Sequence, residues 1–103
     1  MTLDPLRIML ALLCAGTGIS VDYCACIIEH ESSWDASAVG AAGEIGLAQI
    51  LPDTGEWLAG LAGVEWDVER LYDPVYNARL LVTGLERDLD WLWHTVDYCT
   101  ECE

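Results

Sequence analysis

The chain has 103 residues, with eighteen acids against four arginines and no lysine, for a formal charge of -14. A field of that sign repels phosphate backbones and anionic lipid surfaces, so nucleic acid and membrane are poor partners. Hydrophobic residues make up 53%, with five Trp, four Tyr and no Phe. This excludes a disordered chain and is enough to build one core, so residues 1–103 read as a single domain without repeats or linkers.

The first predicted helix starts at Asp4-Pro5, with proline at the first helical position, and stops at the glycines of Gly16 to Gly18. Leu6, Met9, Leu10 and Leu13 fall at helical spacing along it. The same stretch, LRIMLALLCAG, has some features of a signal-peptide core. However, Asp4 offsets Arg7, and Leu13 stands before Cys14 where a lipoprotein signal needs a small residue, so it is read as a helix of the domain. It is too short to span a bilayer.

A second helix should follow Ser20, a good N-cap. Val21, Cys24, Ile27 and Ile28 form its apolar stripe, and at about 100° per residue Glu31 falls in the middle of that stripe, while Glu29 and His30 fall on a solvated face. The segment from Ser32 to Glu44 is a loop rich in Ser, Ala and Gly, and EIGLAQI after it is short enough to be a strand or a bent loop. PDTGEWLAGLAG reads as a third helix ending near Gly63. A long fourth helix is expected from Asp73-Pro74 to about His94, with Asn77, Leu80, Leu81, Gly84, Leu85, Asp88, Trp91 and Leu92 facing inward. No segment sustains period-two alternation, so the fold class is all-α, a small helical domain with an irregular active-site loop.

Five cysteines leave one over after pairing. Cys24 and Cys26, two apart in a helix, point to nearly opposite faces and cannot readily grip one ion, which argues against a zinc site with Cys99 and Cys102. Free or buried thiols with one disulfide from the tail are expected, and no cofactor or metal is implied. Trp34, Trp57 and Trp66 are expected in the core rather than stacked on a ligand.

Glu31 carries the chemistry. A carboxyl on an apolar stripe at a helix C-terminus is disfavoured as an anion by desolvation and by the negative end of the helix dipole, so its pKa should rise. A glutamate kept protonated near neutral pH can protonate a leaving oxygen, which makes Glu31 a candidate general acid. The alternative is a glutamate that snorkels or pairs with Arg70, Arg79 or Arg87.

The stretch ESSWDASAVGAAGEIGLAQILPDT, from Glu31 to Thr54, resembles the signature of the transglycosylase domain of the soluble lytic transglycosylases and their phage-tail relatives, in the lysozyme-like superfamily. Glu31-Ser32, Ala38-Val39, Gly43, Gly46-Leu47-Ala48-Gln49 and Leu51-Pro52-Asp53-Thr54 carry that likeness. Further on, Leu71, Asp73, Pro74 and Asn77 of LYDPVYNARLL match the start of the family's long helix. The departures are Ala48 for the usual Met, Gly40 for the usual Ser, and Gly84 where the family has a Tyr that bonds near the catalytic acid.

The resemblance implies a lysozyme-like fold and cleavage of the MurNAc-GlcNAc β-1,4 bond of peptidoglycan. Glu31 would act first as acid and then as base toward the muramyl 6-hydroxyl, leaving a 1,6-anhydro ring. Ser32, Glu44, Gly46, Gln49, Tyr72, Tyr76 and Asn77 form the implied substrate-binding set. Ser32 and Gln49 would bond sugar groups, Asn77 would hold the site loop, and Tyr72 or Tyr76 would replace the missing Tyr. A muramidase on the same fold would instead use Glu44 or Asp53 to activate water. A third reading is a non-catalytic glycan-binding or virion structural domain. The expected partner is a glycan strand, bound by a monomer acting outside the cell, in the periplasm or on a virion.

Overall fold

A computed structural model describes residues 4–99. Five helices account for most of it: α1 (Pro5–Cys14), α2 (Val21–Ser32), α3 (Pro52–Ala62), α4 (Pro74–Glu86) and the short α5 (Val96–Cys99), with 3-10 turns at Val68–Tyr72 and Asp90–Leu92. The all-α expectation holds. The segment between α2 and α3 is a bent loop, with isolated bridges joining Val39 to Ile45 and Ile45 to Ile50.

Local chemistry sets the helix starts. Asp4 accepts from Leu6 N, Ser20 from Tyr23 N, and Asp73 from Val75 N and Tyr76 N, which satisfies amides that the first turns leave orphaned. Pro5, Pro52 and Pro74 each occupy a first helical turn, where no N–H is missed. α2 ends on Ser33 with φ 52° and α3 on Gly63 with φ 71°, both left-handed caps.

α4 is the central element and packs on α1, on α3 and on the Val68–Tyr72 turn, while α2 lies against α1 and α5. Leu10, Ile27, Ile28, Leu47, Leu58, Leu71, Leu80 and Leu81 are fully buried between these elements. Trp34 and Trp66 pack on this core as expected, whereas Trp57 is 46% exposed. Among the described residues, no helix is long and apolar enough to cross a membrane.

One element departs from expectation. α4 stops at Glu86 instead of running to His94: the Arg87 amide closes on Thr83 and Gly84 carbonyls, and Asp88 turns left-handed at φ 60°. A continued helix would have driven Asp88 into the apolar stripe, and the reversal leaves both Asp88 and Trp91 exposed. It also brings Trp93, 3% exposed, back over α4. A Cβ on Gly84 would lie 2.9 Å from the Trp93 ring, so the absent side chain makes room for the indole.

Candidate active site

Glu31 sits in the last turn of α2, partly buried in a cleft that is also lined by Glu44, Gln49, Leu51, Leu92, Trp93 and His94. Burial pushes its carboxyl above the ordinary 4.5, and the nearby Glu44 charge adds to that rise. The Thr95 hydroxyl, which donates to Glu31 Oε2 at 3.0 Å, and His94 pull partly the other way. The Glu31 carboxyl therefore bonds a neutral hydroxyl and none of the arginines considered from sequence. Arg70 pairs with Asp67 at 3.8 Å, Arg87 reaches the Leu61 carbonyl, and Arg79 lines a separate hollow with Leu12 and Leu61.

The loop facing Glu31 is held from below by Asn77, which is fully buried on α4. Its amide donates to the Ile45 and Leu71 carbonyls, both at 2.9 Å, and its oxygen accepts from Ala48 N at 2.9 Å. Gly46, at φ 79°, lies so close that an added Cβ would collide with the Leu71 carbonyl and the Asn77 amide. Gln49, at φ 50°, donates from Nε2 to the Ala38 and Gly46 carbonyls. Its carbonyl oxygen is 2.7 Å from where a Gly40 Cβ would stand, so the Gly at the family's usual Ser leaves room for Gln49 and Glu44. Glu44 Oε1 accepts from Ala42 N at 2.8 Å, which ties that acid into the loop.

The structure thus sorts the residues expected to bind substrate. Glu44 and Gln49 line the cleft beside Glu31. Gly46 and Asn77 are buried and shape the loop instead of facing a ligand. Ser32 turns back to donate to the Ile28 carbonyl at 3.3 Å. Neither tyrosine replaces the absent family Tyr: Tyr76 spends its hydroxyl on the Glu65 carbonyl, and Tyr72 lies outside the residues lining the cleft. Asp53, in the first turn of α3, is also outside that lining.

Sequence reasoning missed Trp93, His94 and Thr95. Trp93 donates from its indole to the Ala48 carbonyl at 2.9 Å, so it braces the loop and fills the place over Gly84. Trp93 and His94 were expected at the tail of a continuous α4, and no local signal marks Thr95 beyond it.

The model of the transglycosylase SLT domain family matches residues 15–90. The chain belongs to that family. Its fold is similar to that of an inactive mutant of the lytic transglycosylase Slt from Pseudomonas aeruginosa and to the 70 kDa soluble lytic transglycosylase from Escherichia coli. Each shares a TM-score of 0.75 and 22% identity over 84% of this chain and 14% of its own. The 70-kDa soluble lytic transglycosylase complexed with bulgecin A gives a TM-score of 0.76 at 23% identity over 85% of this chain and 15% of its own. This SLT domain therefore spans about one seventh of the solved structures it matches. No curated protein matches it in sequence.

Proposed function

We propose that this SLT domain cleaves the β-1,4 bond between N-acetylmuramic acid and N-acetylglucosamine as a lytic transglycosylase, with Glu31 as its one essential acid. The observation that carries this is the environment of Glu31: a carboxyl lining a cleft, raised in pKa by burial and bonded by a neutral hydroxyl. Protonated Glu31 gives its proton to the glycosidic oxygen as the bond to the muramyl C1 breaks. The resulting carboxylate takes the proton of the muramyl 6-hydroxyl as that oxygen bonds C1. The proton returns to Glu31, no water is consumed, and no second carboxylate is required.

Hydrolysis is the competing reading, favoured by Glu44, the other acid lining the cleft. As a base toward water it would leave a reducing muramyl end. Acting on peptidoglycan, the domain would work outside the cytoplasm or on a virion, a reading supported by the disulfide between Cys26 and Cys99, which suits an oxidising compartment.

Mass spectrometry of fragments released from purified peptidoglycan, across a range of salt, tests this. Ends lacking one water per muramyl residue are expected, with loss of at least about 100-fold in rate for Glu31→Gln. Bulgecin A, held by one of the similar structures, is expected to compete. Reducing ends would transfer the reaction to the muramidase scheme. Glycan retention without cleavage by either protein would make the domain a binder.

A further inference from the structure

Among the described residues, one group of ligand-type side chains outside the cleft lining stands together. Cys26 and His30 are one turn apart on α2 and share a face, and Cys99 closes on them from the end of α5. Their ligand atoms all lie within 4.8 Å of one another, and Cys26 and Cys99 are joined as a disulfide with Cα atoms 5.6 Å apart. His30 is exposed and lies against the Tyr98 ring, 5.9 Å between centroids. The sequence argument against zinc rested on Cys24 and Cys26 diverging. They do diverge, yet this cluster forms without Cys24 and uses a histidine that periodicity had assigned to the solvated face.

We propose that the reduced form of this cluster is a zinc site, with the Cys26 and Cys99 thiolates and the His30 imidazole as ligands and water completing the tetrahedron. Ligand atoms around tetrahedral zinc stand about 3.5–3.8 Å apart, given Zn–S near 2.3 Å and Zn–N near 2.0 Å. Side-chain shifts of about 1 Å would bring the present cluster to that spacing. Disulfide and zinc exclude each other because the bonded sulfurs carry no thiolate charge. Conversion requires a reductant, here a dithiol. It gives two electrons and two protons to the disulfide and becomes a cyclic disulfide itself, after which zinc displaces the two thiol protons.

The consequence reaches the cleft. Either closed form pins Cys99 to α2 and keeps Thr95, four residues earlier, against Glu31, whereas the open dithiol pins neither. Only this link to Glu31 rests on the proposed function. Metal binding stands or falls separately.

The other pair of thiols does not compete on chemistry. Cys14 and Cys24 are buried with sulfurs 3.7 Å apart, and burial holds both as neutral thiols.

The test uses the full chain, reduced with a dithiol that is then removed, freed of metal, and titrated with Co2+ and then Zn2+ without air. A near-ultraviolet sulfur-to-cobalt band saturating at one equivalent is expected for the reduced chain and none for the oxidised one. Zinc should protect Cys26 and Cys99 from alkylation in site-resolved mass spectrometry, a readout that requires no variant. His30→Ala, at an exposed position, should weaken binding by at least about tenfold, and Cys102→Ser should leave the band in place. Absence of the band, protection that omits Cys26 or Cys99, unchanged affinity in His30→Ala, or a loss in Cys102→Ser as complete as in Cys26→Ser would each overturn the site.

Discussion

The loop from Gly40 to Leu51 and the segment from Trp93 to Cys99 are two walls of the same cleft, held by different means. The loop is tied at many points along its backbone. Asn77 makes three bonds to it and to the neighbouring Leu71, Gln49 makes two more, and the bridges through Ile45 complete a self-consistent turn. The second wall hangs on fewer attachments: the Trp93 indole on Ala48, the Thr95 hydroxyl on Glu31, and the disulfide from Cys99 to Cys26. A wall with many weak ties degrades gradually, whereas one with a dominant covalent tie can be released in one step. The second wall is therefore where the orientation of Glu31 can be altered without unfolding the loop.

Reducing the disulfide, with a chelator present, is expected to have the largest effect. The bond closes a separation of 73 residues, which by chain entropy corresponds to about 4 kcal/mol. Denaturant unfolding of oxidised and reduced chain measures it, and a cost below that of the loop variant described next would reverse the ranking of the two walls. Asn77→Ala removes a buried side chain and leaves the Ala48 amide and the Ile45 and Leu71 carbonyls without that partner. A loss of about 3 kcal/mol is expected in the same assay. A neutral outcome would mean that the loop holds its shape without α4.

Thr95→Val sharpens the comparison at Glu31 itself. The hydroxyl lowers the carboxyl pKa, so its removal raises that pKa further, and the high-pH limb of kcat/KM should move to higher pH. Thr95→Ser should restore the original limb, and stability should change by no more than about 1 kcal/mol. An unmoved limb would assign that limb to a group other than Glu31.

The smallest expected effect is thermal. Because burial raises the Glu31 pKa above its unfolded 4.5, the carboxyl's contribution to stability is complete below that value and is lost as pH rises through the folded pKa. Glu31→Gln cannot ionise, so its Tm should exceed that of the parent by up to about a few degrees at neutral pH, with no gain below pH 4.5. A lowered Tm at neutral pH would remove the case that this carboxyl is strained for function.

The helix starts and the place of Glu31 were legible in the sequence because their signals are local. Ser20 and Asp73 cap helices through their own following amides, and the 100° spacing places Glu31 on the stripe of Cys24, Ile27 and Ile28 by helix geometry alone. Asn77 could be named from its family position, but its burial and its choice of carbonyls depend on α4 meeting the loop. Ser32 shows the limit of motif reading: a hydroxyl beside Glu31 finds its own helix carbonyl before any ligand.

The amino-acid sequence by itself determined the helical class, the catalytic candidate and the loop that faces it, since each follows from spacing along one short segment. Only the tertiary structure decided where α4 ends, that Trp93 fills the space above Gly84, that Thr95 bonds Glu31, and that Cys26 meets Cys99 beside His30. The reason is physical. The reversal at Asp88 buries Trp93 over Gly84 and lets its indole bond the Ala48 carbonyl, far away in the chain, and that long-range gain leaves no periodic trace in the residues that make the turn.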